Sequence, residues 1–177
     1  LGLAVSYSIV TKHDGLIQID SQVGTGTTVE IHLPATDQKA PTALSTDARS
    51  FNGEGRILLM DDEETVRQSL SLLLQRLGYD VQEADKGSAA LNLFRQAHES
   101  GRPFDIVILD LTVPGGEGGK QCLSQLVKID PGVKAIAFSG YSNEPIMANH
   151  QKHGFSGVLG KPCTLAELTG ALRTVMG

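Results

Sequence analysis

The chain has 177 residues, a formal net charge of −5, 40% apolar residues and a mean hydropathy of −0.06. That length suits one ordinary domain plus a further piece, and the apolar share suits a packed core rather than disorder. Mild acidity excludes charge-driven nucleic-acid binding, no run approaches the roughly 20 apolar residues of a membrane span or the pattern of a secretory leader, and two cysteines make no disulfide framework, so a cytoplasmic globular protein is expected.

Leu3, Tyr7 and Val10 share one helical stripe, and Gly15 is expected to stop that helix. Residues 16–20 alternate as a strand, with Ile17 and Ile19 on one face. Gly24-Thr25-Gly26 marks a turn, and residues 27–33 alternate again with Val29, Ile31 and Leu33 on one face. One helix and one hairpin are too small to stand alone. Residues 1–34 are therefore read as the C-terminal end of something larger. Residues 35–55 are dominated by Pro, Ala, Thr, Ser, Asp and Gly without period, and read as a linker.

A regular alternation begins at Arg56. Ile57 to Met60 is an apolar strand, and Val66, Leu70, Leu73, Leu74 and Leu77 follow at helical spacing up to Gly78. Tyr79 to Ala84 is a second strand, and Ala89, Ala90, Leu93, Phe94 and Ala97 mark a second helix. Phe104 to Leu109 is a third strand, followed by a helix through Cys122, Leu123, Leu126, Val127 and Ile129. Val133 to Phe138 is a fourth strand, with a weak helix over about 143–153 after it. Gly157 to Gly160 is a fifth, followed by a helix through Leu165, Leu168, Leu172 and Val175. Strands that alternate with helices in this way predict an α/β fold: a parallel sheet covered on both faces, with right-handed crossovers.

In such a sheet the working site lies beyond the carboxyl ends of the strands. Asp61 and Asp62 end the first strand, Asp110 the third, Ser139 the fourth, and Lys161 follows the fifth. Taken singly, each is an ordinary loop-tip residue; taken together they converge. Three carboxylates in one notch repel one another, and a hard divalent cation relieves that repulsion; Mg²⁺ suits, because it keeps waters for an incoming phosphoryl group. Asp110 is then placed as a nucleophile, since carboxylates form aspartyl-phosphates. Lys161 is placed to balance the added charge and Ser139 to donate to a phosphoryl oxygen. Pro162 restrains the backbone after the lysine.

These residues carry a resemblance. Leu58-Leu59-Met60-Asp61-Asp62-Glu63, Leu109-Asp110-Leu111-Thr112-Val113-Pro114 with Gly118, Phe138-Ser139-Gly140, and Lys161-Pro162 resemble the receiver (response-regulator) domain of two-component signalling, over residues 56–177. The resemblance implies a flavodoxin-like (βα)5 fold with strand order 2-1-3-4-5. It implies that Asp110 accepts a phosphoryl group from a phosphohistidine donor domain. Asp61 and Asp62 would hold Mg²⁺ with Asp110 and the backbone carbonyl of Thr112, Ser139 would be the switch hydroxyl, and Lys161 would contact the phosphoryl group. The face built from the last two helices and the fifth strand would respond, and a homodimer through it is a further expectation. Residues 1–34, with Leu1-Gly2-Leu3 and Gly24-Thr25-Gly26-Thr27-Thr28, resemble the end of a histidine-kinase ATPase domain. The implied parent is a hybrid sensor histidine kinase, membrane-attached through upstream segments; this segment lacks the ATP site and the phosphoacceptor histidine of such a kinase.

The pattern departs from the family in two places. Val158 stands where an aromatic switch residue is usual, with Tyr141 close to Ser139 as a steric substitute, and the loop of residues 114–119 carries four glycines, which lower local order. His98-Glu99 is read as a helix end rather than a phosphoacceptor pair, and His150 with His153 as a surface pair lacking a third zinc ligand. Cys122 is read as core, and nothing around Cys163 lowers its pKa. Two alternatives stay open: a degenerate receiver that only binds partners, and an aspartyl-phosphate phosphohydrolase of related fold. Thr112 stands where the second would want an acid–base carboxylate.

Overall fold

The computed structural model describes residues 2–35, 53–113, 118–140 and 145–177. The chain forms two compact units, residues 1–43 and 44–177. The expected linker lies outside the described residues except at residue 35 and residues 53–55.

The first unit is helix α1 (Gly2–Lys12) and an antiparallel hairpin of β1 (Leu16–Gln22) and β2 (Gly26–His32). Register pairs Ile17 with Ile31 and Ile19 with Val29, which puts the four on one face as their alternation requires. The helix does not end through a glycine conformation: Asp14 takes the left-handed backbone (φ 54°). Gly15 is needed for space instead, since a Cβ there would come within 2.7 Å of the His32 carbonyl oxygen.

The second unit is a five-stranded parallel sheet in the order β4-β3-β5-β6-β7. Its strands are β3 (Arg56–Met60), β4 (Asp80–Ala84), β5 (Ile106–Asp110), β6 (Ala135–Ser139) and β7 (Gly157–Gly160). Renumbered from the first strand of this unit, that is the expected 2-1-3-4-5. Register places Ile57 beside Val81 and Ile106, and Leu109 beside Ala137. The helices are α2 (Glu64–Arg76), α3 (Gly87–Glu99), α4 (Gly119–Ile129), the short α5 (Pro145–Ala148) and α6 (Leu165–Met176).

Strand alternation divides the core into two layers. Leu58, Met60, Val107 and Leu109 point to one face and pack with Phe94 of α3 and Cys122, Leu123 and Leu126 of α4. Ile57, Leu59, Ile106 and Ile108 point to the other and pack with Leu70 and Leu74 of α2 and Leu168 and Leu172 of α6. Each fully buried Leu or Ile contributes about 1.5–3 kcal/mol by leaving water, so central strands apolar on both faces fix which strands lie inside the sheet.

The weak helix expected over 143–153 is instead the short α5 and a 3₁₀ turn at His150–His153, and residues 141–144 lie outside the described residues. Gly154, at φ 85°, closes this segment in the left-handed conformation that favours glycine. The base of the sheet is pinned where the chain enters it. Gly53 N–H donates to the Leu77 carbonyl at 2.7 Å, and Asp80 N–H donates to the Gly55 carbonyl at 3.0 Å. Arg56 N–H and Nε donate to Asp105 at 2.7 Å and Asp80 at 3.0 Å, and its guanidinium lies 4.7 Å from the Phe104 ring centroid.

Candidate functional site

The carboxyl ends of β3, β5 and β6, with the residue after β7, bring together the side chains singled out in the sequence. Asp61 follows Met60 directly, and its N–H donates to the Ala84 carbonyl at 3.1 Å, so it continues the strand by one pairing step before the chain turns. Asp110 is the last residue of β5 and Ser139 the last of β6. Lys161 N–H donates to the Ser139 carbonyl at 2.7 Å, and Leu111 N–H to the Phe138 carbonyl at 3.0 Å. Sheet hydrogen bonding thus continues past the strand ends and fixes where each functional side chain leaves the backbone.

Asp61, Asp110 and Ser139 are buried, whereas Asp62 is exposed. The Lys161 ammonium lies 2.9 Å from Asp110 Oδ2 and 2.5 Å from Asp61 Oδ2, and 4.8 Å from the Phe138 ring centroid. Asp110 Oδ1 accepts the Thr112 N–H at 3.0 Å, and Asp61 Oδ1 accepts the Glu63 N–H at 3.0 Å. Asp61 Oδ2 receives charge from the lysine but no hydrogen bond of acceptable direction. A buried carboxylate oxygen left in that state is a ready ligand for a cation.

Burial pushes the Asp110 carboxyl above the usual aspartate range, against the pull of Lys161 and the Thr112 N–H, and the Asp61 charge adds to the rise. Burial works the other way on Lys161, but its hydrogen bond to Asp110 and its close contact with the Asp61 carboxylate prevail and hold the ammonium above the ordinary lysine value. The lysine therefore stays charged and stands as the resident countercharge of the notch.

Asp61, Asp62 and Asp110 each offer a carboxylate oxygen, and these three atoms lie within 4.8 Å of one another. Oxygen-only donors of this kind fit a hard divalent cation. Among the described residues no other group of three or more His, Cys, Asp or Glu side chains is arranged to hold a metal ion, and His150 and His153 belong to none. His98 is exposed near the end of α3. Cys122 is buried, and burial pushes the half-buried Cys163 thiol up. Val158 is half-buried in β7 and packs on the layer containing Phe155. Tyr141 and residues 114–117 of the glycine loop lie outside the described residues.

The Lys161–Pro162 peptide is cis, one of the two forms that a proline after the lysine leaves open. Two features escaped the sequence reading. Gly118 and Gly119 answer a steric need: a Cβ at either would come within 2.6 Å of the Leu111 or Asp110 carbonyl oxygen. Arg67 Nη1 donates to the Asp61 carbonyl at 2.7 Å. The glycine pair held the only legible hint, because adjacent glycines at a helix start can mark close backbone approach.

Known proteins resemble this chain in sequence and in fold. The response regulator receiver domain family matches residues 57–173. The sensor kinase CckA of Brucella abortus (strain 2308) is 34% identical over 185 residues, covering 99% of this chain, and the chain spans 19% of that kinase's length. A response regulator receiver domain protein from Clostridium thermocellum superposes with a TM-score of 0.61 at 29% identity, covering 68% of this chain and 93% of that one. A response regulator from Burkholderia pseudomallei, solved with a phosphorylated aspartic acid, a calcium ion and citrate, is 25% identical with a TM-score of 0.57, covering 66% of this chain and 65% of that one. With the parallel sheet in the receiver order and the family match running from β3 into α6, the chain belongs to the response regulator receiver domain family.

Proposed function

We propose that the second unit accepts a phosphoryl group from a phosphohistidine partner onto Asp110, with Mg²⁺ held by Asp61, Asp62, Asp110 and the Thr112 carbonyl, and passes the change on by altered partner binding. The observation that carries this reading is the convergence of Asp61, Asp110 and Lys161 within 2.9 Å contacts at the carboxyl end of the sheet. The phosphorylated aspartic acid of the Burkholderia pseudomallei regulator supports it by analogy.

Mg²⁺, when bound, neutralises charge on the phosphoryl oxygens and on the three carboxylates. The chain's own residues do the rest. An Asp110 carboxylate oxygen forms the new O–P bond as the N–P bond of the donor imidazole breaks; the imidazole leaves with the electron pair and takes a proton from water. Lys161 releases its hold on the Asp110 carboxylate and pairs with the incoming phosphoryl oxygens. The Thr112 N–H orients Asp110, and Ser139 donates to the acyl phosphate. That last bond draws the β6 end inward and biases the surface of α5, β7 and α6. Thr112, two residues past Asp110, supplies no carboxylate for rapid hydrolysis, which favours a switch over a phosphohydrolase.

The first unit is read as the end of a histidine-kinase ATPase domain, and the parent as a hybrid sensor histidine kinase. The support is that the alignment with the CckA kinase runs through 99% of this chain, not through the receiver alone. The phosphoryl donor is then a histidine domain of the same or a second kinase molecule.

The test is intact mass after incubation with Mg²⁺ and acetyl phosphate. One labile phosphoryl adduct is expected, absent without Mg²⁺ and absent in Asp110→Asn. An adduct that persists in Asp110→Asn, or none in the natural sequence with any phosphodonor, overturns the reading.

A further inference from the structure

The Asp61–Asp62 peptide carries two of the three clustered carboxylates, so its plane decides where both side chains leave the backbone. One side chain holds that peptide from outside the cluster. Arg67, in the first turns of α2, donates from Nη1 to the Asp61 carbonyl oxygen at 2.7 Å. Its Nε lies 3.4 Å from Glu83 Oε2 on β4, and the Arg67 side chain is only 15% exposed. Arg67 N–H also donates to the Glu63 carbonyl at 2.9 Å, so the backbone beneath the guanidinium is helical and fixed. The guanidinium therefore spans three elements: the end of β3, the start of α2 and the edge strand β4. Asp62 needs such support most, because its exposed side chain makes no hydrogen bond or ion pair to a described residue.

We propose that Arg67 is a positioning residue of the cation site: bonded to the Asp61 carbonyl and braced on Glu83, it fixes the Asp61–Asp62 peptide and so aims both carboxylates at one divalent ion. This inference rests on the metal-binding part of the function proposed above. Outer partners that orient ligands commonly govern metal affinity by about 10–100-fold, and a hydrogen bond from a charged donor in a part-buried place is of the strong kind.

The sign of the effect separates positioning from plain electrostatics. An arginine acting only as a nearby positive charge would repel the ion, and removing it would tighten binding. A positioning arginine, when removed, lets the peptide rotate and weakens binding.

Calorimetric titration of the phosphoryl-free protein with MgCl₂ tests this, with circular dichroism melts in parallel. Arg67→Met, which keeps the apolar stem, is expected to weaken Mg²⁺ binding by about ten-fold while the protein remains folded. Arg67→Lys retains a donor for the carbonyl and is expected to recover most of the loss. Glu83→Gln keeps the carbonyl bond and is expected to fall between the natural protein and Arg67→Met. If Arg67→Met does not fold, Arg67→Gln carries the same comparison. Affinity equal to or tighter than that of the natural protein in the methionine or glutamine variant overturns the inference, as does a lysine variant as weak as methionine. A natural protein that takes up no Mg²⁺ at all instead refutes the metal-binding function itself, and the inference falls with it.

Discussion

Replacing Lys161 with methionine separates the two cations that the acidic notch can use. At an effective dielectric near 20, the ammonium contacts at 2.5 Å and 2.9 Å each give roughly 6 kcal/mol of attraction before dehydration is counted. Dehydration offsets most of this, and removing one partner from a buried pair costs about 3–5 kcal/mol because the other charge is stranded. Methionine keeps the apolar stem near Phe138, so the loss is electrostatic in origin. Two buried carboxylates would then face one another with no countercharge, and the expected destabilisation without divalent ion is about 3 kcal/mol, the lower end of that range because Lys161 is partly open to water. Added Mg²⁺ supplies the missing charge. Urea unfolding of both proteins, with and without saturating Mg²⁺, is the assay. The gap between natural protein and variant should at least halve in Mg²⁺, and Mg²⁺ should bind the variant more tightly. An equal gap in both conditions would show that lysine and metal do not share these carboxylates, and the argument would fail.

Gly119→Ala puts a methyl 2.6 Å from the Asp110 carbonyl oxygen and 3.1 Å from Leu109 Cβ; urea unfolding should show a loss of about 1–3 kcal/mol, as for overpacking elsewhere. The Thr164 side chain accepts the Glu167 N–H at 3.2 Å while Glu167 accepts the Thr164 N–H at 2.7 Å, and Thr164→Ala should cost about 1 kcal/mol by the same assay. Burial, with the Asp105 charge adding to it, raises the Tyr79 phenol above its ordinary 10.0. Its neutral form is favoured in the fold, so the stability tied to it is present below about pH 10 and is lost as pH rises through the raised folded value. Melting temperatures taken from about pH 9 to about pH 11 should therefore fall less steeply in Tyr79→Phe, once both are referenced to neutral pH.

The sheet and its strand order were legible because apolar runs such as Ile57–Met60 and Ile106–Leu109 can be buried on both faces only in the interior of a parallel sheet. The site was legible for a related reason: the last residue of such a run lies at the rim by topology alone, which placed Asp61, Asp110 and Ser139 without any knowledge of side-chain contact. What depends on reach across the rim was not legible. No spacing rule says that the Lys161 ammonium touches Asp61 as well as Asp110, or that Arg67 turns back to the Asp61 carbonyl. The helix expected over 143–153 failed because few apolar residues there follow a helical period, so short-range turn chemistry prevails over a full helix. Gly118 and Gly119 were read as loosening a loop; their tightness is set by the carbonyls of residues 110 and 111, which lie against them only in the folded chain.

The fastening of residues 53–55 at the base of the sheet also sets a distance within the second unit. Five residues of β3 or β5, each rising about 3.3 Å, put roughly 16 Å of sheet between that mooring and the acid rim. Residues 53–55 are thus moored at the opposite end of the sheet from Asp110, with the full length of the central strands as a spacer between the two.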